Sequence, residues 1–155
     1  MPNHCYNRVT ISARDGKEDQ FKKLVSIFES DTPFETLYPS PDWPNIPNKD
    51  GVLPELREMK RPDGTVFTTT YYFPDGTNDD RWYSWRVDKW GTKWEAYDQS
   101  SGDIDKECGY AEFTFNTAWA PATGIYEAIV EKFPDVGISW FYDEPGCELA
   151  GYLPD

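Results

Sequence analysis

The sequence predicts a single α+β domain with helices packed on one face of a mainly antiparallel sheet. Three observations predict it. Residues 5–13 and 109–117 alternate apolar and polar side chains with the period of a strand. Residues 21–28 and 122–133 carry apolar side chains at helical spacing. Short strand-like runs bounded by Gly, Pro and Asp follow in the second half.

In chain order, Cys5, Asn7, Val9, Ile11 and Ala13 form one side of a first strand. Asp15 opens a helix with Glu18 three residues on, a capping-box spacing, and Phe21, Leu24, Val25 and Phe28 are its buried stripe. Residues 33–64 carry seven prolines (33, 39, 41, 44, 47, 54 and 62) and are expected to form an irregular proline-rich insert. Within it, Glu35–Tyr38 reads as a short strand. Two Pro-Asp-Gly turns, at 62–64 and 74–76, bracket the Thr- and aromatic-rich strand Thr65–Phe73, with Glu55–Lys60 as its partner. Asp79 and Asp80 cap a helix from Arg81 to Trp90, and Gly91 supplies its left-handed end. Lys93–Tyr97 reads as a strand and 98–108 as an acidic loop. Pro121 starts a third long helix with Ala122, Ile125, Ala128, Ile129 and Phe133 inward. A final hairpin joins Gly137–Tyr142 to Cys147–Leu153. The split βαβ arrangement of ferredoxin-like domains fits this order.

Composition narrows the function. There are 28 acidic and 15 basic residues, for a net charge of −13. That surface repels a phosphate backbone and anionic lipid, so no direct nucleic-acid backbone binding and no membrane partner is expected. It attracts basic surfaces. Cys5, Cys108 and Cys147 are too few and too scattered for a disulfide framework, which suits a soluble, cytoplasmic chain. No apolar run approaches a membrane span.

Four segments carry a family resemblance. They are Pro2-Asn3-His4-Cys5-Tyr6-Asn7-Arg8-Val9-Thr10-Ile11, Asp88-Lys89-Trp90-Gly91-Thr92-Lys93-Trp94, Phe113-Thr114-Phe115-Asn116-Thr117-Ala118-Trp119 and Tyr142-Asp143-Glu144-Pro145-Gly146. Together they resemble the YubB-like proteins of bacterial plasmids and phages, which usually have Trp where this chain has His4. The resemblance implies a ferredoxin-like domain and a mobile-element origin. It implies no activity.

The candidate binding residues are Trp82, Tyr83, Trp85, Arg86, Lys89, Trp90, Lys93 and Trp94. They are the only stretch mixing aromatics with several cations, a composition that serves either as core or as a partner or ligand platform. No catalytic residue, metal site or cofactor motif is expected. His4 and Cys5 are adjacent on a strand and point to opposite faces. Pro2, a free prolyl amine once Met1 is removed, reads as a strand opener. Asp75, Asn78, Asp79 and Asp80 lack the spacing of a calcium loop. The functional expectation is a non-enzymatic interaction protein of a plasmid or phage. In its sharpest form it is an acidic decoy for a basic host protein that counters host defence. The alternatives are a small-ligand or nucleotide-binding domain with an aromatic-lined site, and a structural or assembly module that dimerises through an uncovered edge strand.

Overall fold

The computed structural model describes residues 3–154; Pro2 lies outside them. The chain forms two compact units. The first comprises residues up to Pro39 and from Arg86 onward, the second Ser40–Trp85.

The first unit is built on β1 (His4–Ala13), whose residues alternate between buried and open. Helix α1 (Glu18–Glu29) follows, with Phe21, Leu24, Val25 and Phe28 buried as the spacing predicts. Its start differs from the capping-box expectation: Lys17 is the cap residue and no side chain bonds there. The expected strand at 35–38 is instead a short helix, α2 (Pro33–Leu37). Proline suits the first helical turn. The missing cap comes from far along the chain: Glu95 accepts N–H bonds from Phe34 (2.8 Å) and Glu35 (2.9 Å). Burial raises the Glu95 carboxyl above the usual range despite these bonds.

The unit continues after the end of α3 (Arg81–Lys89) with β4 (Tyr97–Asp105), β5 (Tyr110–Ala118), α4 (Thr123–Lys132), β6 (Val136–Glu144) and β7 (Leu149–Leu153). Two expectations fail here. Residues 93–96 are not strand, and the polar stretch expected as a loop is β4. An exposed edge strand needs no apolar alternation, so its sequence reads as loop. The five strands lie in the order β4-β5-β1-β6-β7, every neighbouring pair antiparallel.

Both long helices cover one face. Phe28 of α1 stacks on Phe113 at 5.5 Å between centroids, and Tyr126 of α4 meets Trp140 of β6 edge-on at 6.3 Å. Phe34 of α2 touches both Trp90 (5.9 Å) and Phe115 (5.6 Å). One polar network is sealed beneath these rings. The Asn7 amide donates to Thr117 Oγ1 (3.0 Å) and to the Cys5 carbonyl (2.9 Å), and its oxygen accepts from Trp140 Nε1 (2.9 Å). Because each partner is satisfied, the hydrogen bonds offset the cost of burying the amide.

In the second unit β2 (Glu55–Lys60) pairs with β3 (Val66–Tyr72) as expected. Both Pro-Asp-Gly turns share one device: Asp63 accepts from the Thr65 N–H and hydroxyl, and Asp75 does the same for Thr77. The proline-rich stretch is held by Arg81. Its guanidinium donates to the carbonyls of Trp43 (3.1 Å), Ile46 (2.9 Å) and Pro47 (3.2 Å). It also pairs with Asp79 at 2.8 Å and lies over the Trp43 ring at 4.9 Å. That bond holds the Asp79 carboxyl below the usual range. A chain rich in proline lacks donors, so an arginine fork substitutes for them.

Arg81→Met should cost about 2–4 kcal/mol, because three carbonyls and the Asp79 carboxylate lose their donor together. Arg81→Lys should recover little, since an ammonium cannot span the fork. Limited proteolysis is the check. New cleavage between residues 41 and 54 is expected in both variants, and an unchanged digestion pattern would show that Arg81 is dispensable.

Candidate functional site

The candidate stretch 82–94 divides into parts with different fates. Trp82, Tyr83 and Trp85 fall in the second unit, where Trp82 and Tyr83 meet edge-on at 5.8 Å and Tyr83 is exposed. In the first unit, Arg86 is occupied structurally: it stacks on Trp90 at 4.5 Å, donates to the Lys93 carbonyl and faces Glu35 at 3.8 Å. Lys89 is exposed beside Asp88.

Trp90 is a correction. It is fully buried, and its Nε1–H donates to the Tyr38 carbonyl at 2.8 Å, so it offers no surface to a ligand. Gly91 takes a left-handed φ of 91° as expected, and Thr92 is buried with its hydroxyl on the Ala118 carbonyl. Trp90 and Thr92 of the run therefore pack the core, while Trp94 reaches the surface.

Lys93 lies over the Trp94 ring at 4.5 Å, and Trp94 meets Tyr97 edge-on at 6.1 Å. Tyr97 shares a hydrogen bond of 2.5 Å with His4 Nδ1. Burial, and next the Asp98 charge, raise the Tyr97 hydroxyl above its ordinary value. His4 is exposed while Cys5 is sealed inside, which separates them as the strand geometry requires. Trp119, which the sequence reading did not single out, sits nearby. It is 47% exposed with φ 71°, and its N–H bonds the Asn3 carbonyl. Its sequence signals were its place after a clean strand and at the end of the resemblance segment 113–119.

All three thiols are shifted upward. Burial pushes Cys5 up to about 11, and the carboxylates Asp105 and Glu144 raise Cys108 and Cys147. None has the cationic surroundings that activate a thiolate. Among the described residues, no group of three or more His, Cys, Asp or Glu is arranged to hold a metal ion.

A second arrangement was not legible at all. At the C-terminal end of α1, a pocket of about 300 Å³ opens between the helix and the β4–β5 pair. Phe28, Phe113 and Phe115 form its floor, and Glu29 and Asp31 stand at one rim. Ser100 and Ser101 of β4 form the other, and Gln99 donates to the Ser30 carbonyl at 2.9 Å. Strand β4 is an edge, bonded only to β5, and its register shifts twice. Helix α1 has no basic residue in its last turn, so the negative end of its dipole adds to the two carboxylates. Lys106, 3.9 Å from Glu29, offers a counter-charge, and both partners are about half exposed. Such a pair contributes little. The site is thus aromatic below, anionic at its rim and flanked by the edge strand β4.

A family model described as the ferredoxin-like domain in Api92-like protein matches residues 89–153. The fold is ferredoxin-like. The match runs from the end of α3 through β7, and the ferredoxin-like sheet is completed by β1, which pairs with β5 on one side and β6 on the other. Between α1 and β4 the chain makes α2, the second unit and α3. Comparison with curated proteins and with solved structures gives no match. Among the described residues, no helix is long and apolar enough to cross a membrane.

Proposed function

We propose that this ferredoxin-like protein acts without catalysis, by binding a protein partner through a basic surface. The observation that carries the reading is the pocket at the end of α1. A lysine or arginine side chain fits its chemistry: alkyl stem or guanidinium plane on the Phe floor, charge between Glu29 and Asp31. The edge of β4 lies beside it, so a partner strand could pair there and place a cationic side chain in the pocket. The net charge of −13 supplies long-range steering toward such a partner.

The resemblance to the YubB-like proteins adds a setting, a plasmid or phage. In that setting the partner is a basic, nucleic-acid-handling host protein. The acidic surface stands in for phosphate and counters a host defence. The reading needs no cofactor and places the protein in the cytoplasm.

The test is capture from bacterial lysate by the wild type and by the double variant Glu29→Gln/Asp31→Asn. For the basic protein recovered, affinity should fall about tenfold in the double variant and again on raising salt to about 0.5 M. Equal affinity in both variants, or binding that ignores salt, would reject the reading.

A second reading rests on the opposite edge of the sheet. Strand β7 carries no charged residue and exposes Leu149 (54%) and Tyr152 (57%), which suits pairing with a second copy. Light scattering across concentrations distinguishes it.

A further inference from the structure

On the helical side of the first unit, α1, α2 and the end of α4 enclose a cleft of about 470 Å³. Its floor is apolar, made by Leu37, Phe133 and Ile27. Its polar groups are Lys23, Lys132, Gln20 and Thr36, whose hydroxyl donates to the Thr32 carbonyl. Among the described residues, no carboxylate lines it. That is a local inversion of charge in a chain of net −13. Lys132 reaches across to the Leu37 carbonyl at the end of α2. This uses one of its three donors and leaves two for another acceptor. Gln20 adds an independent sign: its Oε1 is buried and has no hydrogen-bond partner. A buried acceptor without a donor costs free energy, and a turn of the Gln20 side chain into the cleft would let a bound O–H or N–H remove that cost.

We propose that this cleft binds a small amphipathic carboxylate. Its apolar body would rest on Leu37, Ile27 and Phe133, its anionic group between Lys23 and Lys132, and a hydroxyl would donate to Gln20. The volume lies within the range of small-ligand sites, and a few convergent polar groups over an apolar floor are their usual composition. The cleft shares no residue with the acidic pocket, so this inference stands apart from the proposed partner binding.

The probe is 4-hydroxyphenylacetate, with 4-hydroxyphenylacetamide as its neutral counterpart, followed by backbone amide NMR of the full chain. Saturable shifts at Gln20, Lys23, Thr36 and Phe133 are expected for the acid, with binding at least about fivefold weaker for the amide. Lys23→Gln, at an exposed position, should weaken the acid by a similar factor while leaving the spectrum folded. Ile27→Trp should fill the cleft and abolish the shifts. No saturable shift up to about 5 mM, equal binding of acid and amide, or Lys23→Gln binding like the wild type would each overturn the proposal.

Discussion

Trp90→Ala should lower stability by about 3–5 kcal/mol, the range for losing a buried tryptophan. The indole is fully buried, touches Phe34, carries the Arg86 guanidinium on its face and donates to the Tyr38 carbonyl. Truncation opens a large cavity and leaves that carbonyl without its donor. Since domains of this size are stable by only about 5–15 kcal/mol, roughly a fifth or more of the total is at stake. Trp90→Phe isolates the hydrogen bond and should cost less. Trp94→Ala, four residues on and 37% exposed, should cost about 1 kcal/mol or less. Urea unfolding of the three variants is the check. Similar losses at Trp90 and Trp94 would mean that the division between core and surface is wrong.

Gly124→Ala should destabilise, although helix propensity argues the reverse. Gly124 lies in the first turn of α4, where alanine is favoured by about 1 kcal/mol on propensity. A Cβ built there falls 1.7 Å from the Lys89 carbonyl oxygen and 3.1 Å from Trp90 Cα. Both neighbours are backbone, and Gly124 N–H bonds the Trp90 carbonyl at 2.9 Å. The end of α3 and the start of α4 must separate, which breaks that bond. Overpacking of this kind costs about 1–3 kcal/mol or more, and at this distance it outweighs the propensity gain. A net loss of about 1–2 kcal/mol in thermal unfolding is expected. A stabilised Gly124→Ala protein would mean that the two helix ends are not in contact.

The sequence disclosed those parts of the fold whose residues repeat with their own element. The stripe Phe21, Leu24, Val25, Phe28 and the stripe Ala122, Ile125, Ala128, Ile129, Phe133 are buried as read. So are Ala111, Phe113 and Phe115 on β5, and β2 pairs with β3. What escaped depends on partners distant in the chain. Helix α2 is five residues long, too short to show a period, and its cap is Glu95. Strand β4 is exposed along most of its length, residues 98–103 without a break, so nothing in it alternates apolar with polar. In the cluster 82–94, composition could not tell buried Trp90 from exposed Trp94. The pocket at the end of α1 joins Glu29 and Asp31 to Ser100 and Ser101, about seventy residues on, and only the antiparallel pairing of the sheet brings them together. Arg81 was read as a helix start, and nothing local announced that it holds three carbonyls between residues 43 and 47.

On the second reading, pairing through β7, the two edges of the sheet would also set a limit on assembly. Strand β4 ends one side with carboxylates and two register shifts, features that discourage a like strand from joining. Strand β7 ends the other side without either. Two copies meeting through β7 would share a twofold axis and present β4 at both outer margins. Growth would stop at two, because like charges would face any further copy. A sheet guarded on one side only can therefore close into a pair without opening a route to fibres.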